Sequence, residues 1–248
     1  MDGRGVRRSR VVEEEESYFI SMADMMVGLL FVFIILVLYF ALQFQQKSKA
    51  LSDAGQARAH LLSNLQAEIK RADPTLDVKI DPVTGVLTLP AAVLFAKADD
   101  RLSAEGERAV GVVARAMATV LPCYTEPRRR TGCAYVSERS IDAIFIEGHT
   151  DSDSFAGNAR MSDNLDLSAF RATNTFRALR AADPSLDRLR NPAGQSILSV
   201  SGYGEARPVP NNPGVSEQDK ARNRRIDLRF LMDTPPAQNL VAILTGGR

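Results

Sequence analysis

The sequence predicts an α/β protein: a single membrane-spanning helix, a helical linker, and a two-layer α/β sandwich. Three observations predict it. Residues 25–42 run for 18 residues without a charge, residues 43–72 turn polar with apolar positions mostly three or four apart, and the remainder alternates strand-like and helix-like apolar runs. At 248 residues, 45% hydrophobic and 25% charged, the chain holds one medium-sized domain plus something extra, and disorder throughout is excluded. Thirty-one Lys plus Arg against 30 Asp plus Glu leave a net charge of +1, so no direct nucleic-acid contact is expected. Two His and two Cys are too few for a zinc finger or an iron–sulfur frame, and no GxxxxGK[ST] or GxSxG string occurs. The expectation is a protein without enzymatic activity and without a bound metal or cofactor.

The span comes first. At 1.5 Å per residue, residues 25–42 cover about 27 Å, and adding 18–23 exceeds the roughly 30 Å hydrocarbon core. Residues 18–42 are therefore the expected transmembrane helix, with 1–17 before it. A cleaved signal peptide is the alternative, but the apolar run exceeds the usual stretch of about 7–15 residues. Glu13, Glu14, Glu15 and Glu16 also precede the run, and no small-x-small site follows it, so a retained anchor is expected. Arg4, Arg7, Arg8 and Arg10 lie before the span, against Lys47 and Lys49 close behind it. That bias puts residues 1–17 in the cytoplasm and the chain from about residue 47 outside it.

Asp24 is the most informative residue of this segment. It stands at the edge of the apolar run if the helix starts at Met25, and nearly two turns inside if it starts at Tyr18. An intramembrane Asp costs about 2.5–3.5 kcal/mol at the helix centre and is by default a functional hypothesis with a partner or pathway. Ser21, Asp24, Gly28 and Phe31 share one helix face, where small neighbours let another helix approach. One span makes no channel, so an ion relay at Asp24 requires a multi-helix partner. The alternative is an acid at the helix start, in the headgroup region, favoured by the helix dipole.

Residues 43–76 form the expected helical linker, with Leu51, Leu61, Leu62, Leu65 and Ile69 as its stripe and Asp73-Pro74 as its end. The stripe serves either a dimeric coiled segment or a monomeric amphipathic helix lying on the domain that follows. Within residues 77–232, strands are expected at 77–80 and 86–89, joined through DPVTG as a hairpin. Ser103 caps a helix over 104–121 that buries Val110, Val113, Ala114, Met117 and Leu121. Cys123 and Cys133 follow in a surface insertion, CYTEPRRRTGC. Outside the cytoplasm they either pair in a disulfide or stay as two thiols. Residues 141–147 read as a central strand, 166–182 as a helix burying Leu167, Phe170, Phe176 and Leu179, and 197–201 and 225–231 as two more strands. Two helices on one mixed sheet result, with residues 233–248 a tail lacking structural signal.

Polar strings cluster where these strands become loops: Gly148-His149-Thr150-Asp151, then Asn164-x-x-Leu167-Ser168-x-x-Arg171-Ala172, Gly202-Tyr203-Gly204-Glu205, and Asn223-Arg224-Arg225. An acid at a strand end and an arginine one turn into the next helix can flank one small zwitterion, the arginine taking its carboxylate and the acid its ammonium. His149, Asp151 and Asp153 are also spaced two apart like metal ligands, but the segment has a single His and Asp151 already has a binding role.

The GHTD, NxxLSxxRA, GYGE and NRR strings together closely resemble the OmpA-like peptidoglycan-binding domain over residues 77–232. The resemblance implies that Asp151 and Arg171 grip the diaminopimelate of the peptide stem, with Asn223 and Arg225 near the same pocket. Two departures stand out. The loop SDSFAGNARMSDNLD is longer than usual in the family, and after Leu94-Phe95 the usual acid and glycine are replaced by Ala96-Lys97. The whole arrangement resembles the B-type (MotB-like) stator subunits of flagellar motors. By SMADMMVGLLFVFII around Asp24 and a chain without Trp, it resembles more closely the ZorB family of Zorya anti-phage systems. That resemblance implies a single-pass protein of the bacterial inner membrane with a periplasmic domain, present as two copies inside a pentameric ring of a ZorA-like multi-helix subunit. Asp24 then relays protons or sodium ions while the outer domain holds peptidoglycan. Rotation of the ring is coupled through the partner to effectors acting on phage DNA. A flagellar stator and a static wall anchor are the competing readings.

Overall fold

The computed structural model describes residues 5–128, 131–157, 160–212 and 214–233, with side chains from residue 19 onward except residue 20. Arg4 and the tail after Asp233 lie outside the described residues. The chain divides into two units, Met1–Ala50 and Leu51–Arg248.

In the first unit a helix, α1 (Gly5–Ala72), carries the apolar run with its side chains open to the surroundings, Leu29 at 75% and Phe31 at 64% exposure. Such a surface needs lipid or partner helices to cover it. Among the described residues this is the one helix long and apolar enough to cross a membrane. Because α1 begins at Gly5, Asp24 lies about five turns inside it. The helix dipole acts within the first turn, so it does not stabilise the carboxylate of Asp24, which stands where the apolar run begins.

The second unit begins inside the expected linker. Leu61, Leu62, Leu65 and Ile69 are fully buried in the hydrophobic core, so the stripe lies on the domain; Leu51, at 65% exposure, is outside it. Pro74 disfavours helical geometry at Asp73, whose carboxylate accepts from the Thr75 backbone N–H at 2.9 Å and turns the chain. Leu65→Ala should lower the unfolding free energy by about 2–5 kcal/mol, the usual loss for an emptied leucine site. Urea unfolding in mild detergent reads it, and a change below about 1 kcal/mol would mean that this stretch is not docked in solution.

The sheet has order β1-β2-β5-β3-β4, formed by β1 (Lys79–Asp81), β2 (Val86–Pro90), β3 (Ile141–His149), β4 (Leu198–Gly202) and β5 (Arg225–Met232). Among the described residues only β3 and β4 pair in parallel. A short α2 (Ala91–Leu94), then α3 (Ala104–Val120), α4 (Asn164–Ala182) and a short α5 (Glu217–Asn223) complete it. Alternation in β5 sends Ile226, Leu228 and Phe230 into the core, all fully buried, while Arg225, Asp227 and Arg229 share the opposite face. Ser103 caps α3 by accepting from Gly106 N at 2.9 Å.

Three expectations are corrected in detail, and of the two outcomes open for the cysteines the structure shows the pairing. Phe170 and Phe176 are half-buried, with the guanidiniums of Arg160 and Arg180 about 5 Å over their rings, instead of in the core. The helix starts at Asn164, two residues earlier than expected, because Asp163 caps it through Asp166 N. Neither α2 nor α5 was expected, both being too short to show a period. Cys123 and Cys133 form a disulfide, and Arg128 inside that loop donates to Ser137 O and, at 2.5 Å, to Ser140 Oγ.

Candidate functional site

β5 lies between β2 and β3 and antiparallel to both, so the last residues of β2 and β3 meet the first of β5: Pro90 and His149 both pair with Arg225. Three chain segments therefore leave one edge of the sheet together, toward α2, toward the loop after β3, and back to α5. The helix α4 closes the fourth side. It comes this near because Gly148 and Gly202, cross-strand partners, have no Cβ. A Cβ on Gly148 would stand 2.0 Å from Ser168 O, and one on Gly202 2.8 Å from Ala169 Cβ. Ser168 Oγ accepts from Gly204 N at 2.9 Å, and Thr150 N donates to Gly204 O at 2.9 Å. The GHTD, LS and GYGE strings are thus one hydrogen-bonded junction.

A cleft of about 520 Å³ opens at this junction, with Asp151, Arg171, Arg224, Thr150, Phe95 and Lys97 among its walls. Arg171, 4% exposed, is fixed on three sides. Its Nε donates to Asp99 O at 2.8 Å, its Nη2 to Ala96 O at 3.2 Å, and its guanidinium lies 5.0 Å over the Phe95 ring. The 96–99 turn that supplies those carbonyls includes Ala98 at φ 57, a left-handed position. Nη1 of Arg171 makes no protein hydrogen bond among the described residues and remains for a ligand. Burial, then the Arg224 charge, lower the pKa of Arg171, while the Asp151 carboxylate raises it. Thr150 Oγ1 is buried without a partner, a second polar atom left over at the wall.

Of the four residues expected at the peptide-stem pocket, Asp151 and Arg171 come together across this cleft, and Asn223 and Arg225 are not among its walls. Asn223 Oδ1 accepts from Val209 N and Asn212 Nδ2, both at 3.0 Å, and holds the preceding loop. Arg225 faces the side of the sheet opposite the core, where its Nε donates to Asp227 at 2.8 Å. The junction explains the difference. Asn223 ends α5 and Arg225 opens β5, so Arg224 between them is the one that enters, and its guanidinium forms a short ion pair with Asp151. The long loop between Asp151 and α4 is tied down by Asn164 Nδ2 to Asp153 O at 2.9 Å and by Arg160 to the buried Asp100 at 2.6 Å.

The metal-like spacing of His149, Asp151 and Asp153 does not converge. Asp151 pairs with Arg224 and Asp153 with Lys220 at 2.7 Å, while His149 lies with Glu147 and Asp227. Those last three do offer ligand atoms within 4.8 Å of one another. Their negative charge is already committed, however: Arg229 holds Glu147 at 2.8 Å, and Arg225 and Thr88 hold Asp227 at 2.8 and 2.6 Å. A divalent cation would enter a site of no net negative charge beside two guanidiniums, and we read the cluster as a buried ion network joining β3 to β5.

Burial, reinforced by Arg225, pushes the His149 pKa down to about 3, with Glu147 opposing. The unfolded chain binds a proton near pH 6.5 that the folded chain refuses until about pH 3. Stability from this group is therefore complete above pH 6.5 and falls on acidification, with a slope of up to about 1.4 kcal/mol per pH unit. Urea midpoints between pH 7 and 4 should fall less steeply for His149→Gln than for the natural chain. Parallel slopes would contradict a neutral buried imidazole.

No protein-family model matches the chain. Over 88 residues it is 34% identical to Motility protein B of Bacillus subtilis (strain 168), a match covering 36% of this chain and 30% of that protein. The chain thus spans under a third of the length of the relative it matches. Its structure is similar to that of a MotB-like protein from Desulfovibrio vulgaris, at TM-score 0.50 and 25% identity, covering 74% of this chain and 98% of the other. It is also similar to the cell wall anchor of the type VI secretion system from Pseudomonas aeruginosa, at TM-score 0.47 and 19% identity, covering 69% and 97%. The likeness to the Desulfovibrio vulgaris protein supports a MotB-like fold for the mixed α/β domain that follows the apolar helix.

Proposed function

We propose that this chain is the wall-anchoring subunit of an ion-driven membrane motor. It crosses the bacterial inner membrane once, with residues 1–17 in the cytoplasm and the α/β domain in the periplasm. The cleft grips the diaminopimelate of a peptidoglycan stem, Arg171 taking a carboxylate and Asp151 an ammonium. Asp24 relays protons or sodium ions at the interface with a multi-helix partner. The observation that carries the reading is the pairing of two features on one MotB-like chain: an acid, Asp24, where a long helix turns apolar, and a cleft with a fixed arginine facing a buried acid.

The division of labour follows from mechanics. One charge crossing 100 mV releases about 2.3 kcal/mol, so useful work takes several passages. Torque also needs a stationary part, which the wall supplies. Two copies of the chain inside a pentameric ZorA-like ring complete the assembly in this reading, and the resemblance of the sequence around Asp24 to ZorB supports a role in phage defence of the Zorya type. The match to Motility protein B favours a second reading, a flagellar stator. Neighbouring genes separate the two: a multi-helix partner beside a helicase or nuclease gene supports defence, and motility genes support the flagellum. The anchoring half is tested by co-sedimentation of the detergent-solubilised full chain with purified peptidoglycan sacculi; a chain left wholly in the supernatant refutes it.

A further inference from the structure

Asp151 already has a cation. Its side chain is 10% exposed, and its carboxylate accepts from Arg224 Nη1, whose side chain is a third exposed. The other terminal nitrogen of Arg224 stands 3.8 Å from Glu217 Oε2, on a side chain 79% exposed. One guanidinium thus spans a buried carboxylate and a carboxylate at the rim. The backbone of Arg224 is fixed, its N–H donating to Lys220 O and its carbonyl accepting from Ala91 N, both at 3.0 Å. A shift from one acid to the other is therefore a side-chain rotation. Arg171 has no such freedom, being bound to two carbonyls and stacked on Phe95.

A ligand ammonium entering beside Asp151 would be the third cation around one carboxylate, and like charges in a half-buried cleft repel. We propose that Arg224 is a stand-in for the ligand's amine: it neutralises Asp151 while the cleft is empty and is displaced toward Glu217 when a primary ammonium group takes its place. The proposal rests on the cleft being the stem-peptide site. It adds a specificity rule. Only an amine that keeps its charge can exchange with Arg224, so N-acylated or amide-linked stems, such as those of crosslinked wall, are refused. The exchange is tolerable for Arg224 because Glu217 receives it, whereas an acid left unpaired at Asp151 would not be.

The test measures binding of the detergent-solubilised full chain to a muramyl tripeptide ending in diaminopimelate, with its free side-chain amine and with that amine acetylated, by calorimetry. Arg224→Gln should bind the free-amine probe about three- to tenfold more tightly than the natural chain and leave the acetylated probe unimproved. Glu217→Gln, at an exposed position where misfolding is not a concern, should weaken the free-amine probe about two- to threefold by removing the landing site of Arg224. Weaker or unchanged binding in Arg224→Gln, with its circular dichroism intact, overturns the displacement. If Arg224→Gln does not fold, unchanged binding in Glu217→Gln overturns it instead. Failure of the natural chain to bind either probe refutes the site reading itself, a different outcome from a bound probe that ignores Arg224.

Discussion

Replacing Asp151 and Arg171 together by alanine should abolish co-sedimentation of the full chain with peptidoglycan sacculi. A hydrogen bond to a charged group contributes about 1.5–3 kcal/mol, so losing one at each end of a zwitterion removes about 3–6 kcal/mol, two to four decades of affinity. The double variant should still fold. Arg224, freed from Asp151, is a third exposed and has Glu217 within 3.8 Å, and of the two carbonyls that lose Arg171 that of Ala96 lies at the cleft. Near-UV dichroism unchanged with sedimentation lost is the expected pair of results. Sacculi that still retain the variant would mean that the wall is held elsewhere on the molecule.

Why Asp151 and Arg171 were legible in sequence while Arg224 was not is a matter of period. The β3 run and the 3.6-residue rhythm of α4 place Asp151 at a strand end and Arg171 two turns into a helix, and both sequence strings are long enough to fix their elements. Asn223-Arg224-Arg225 sits at a helix-to-strand junction, where a shift of one residue swaps which side chain faces which side of the sheet. Only the observed register, His149 opposite Arg225, decides it. The same limit hid α2 and α5, of four and seven residues. The linker stripe was visible as amphipathic, but its partner was not, because Leu61, Leu65 and Ile69 suit a second helix as well as a sheet domain. The disulfide was one of two open possibilities, since Cys spacing alone does not bring the two sulfurs together.

Asp24→Asn should leave membrane insertion and partner assembly intact while abolishing ion-driven activity, read as phage protection or as motility according to the system the chain serves. Asparagine keeps the shape and hydrogen-bonding of the carboxyl group but can neither release a proton nor neutralise a sodium ion. It is also easier to place in lipid, so reduced expression is not expected. The position of the residue makes the effect categorical. Asp24 lies about five turns inside α1, past the reach of the helix dipole, on a segment whose large apolar side chains are exposed. A carboxylate kept in the spanning segment carries a cost that grows with depth, up to about 2.5–3.5 kcal/mol at the bilayer centre, and is by default a functional hypothesis with a partner or pathway. Asp24→Leu separates the remaining readings. A static anchor tolerates leucine, and sedimentation with sacculi continues in either case because the cleft is untouched. Full activity with leucine at position 24 would leave a tether and remove the motor.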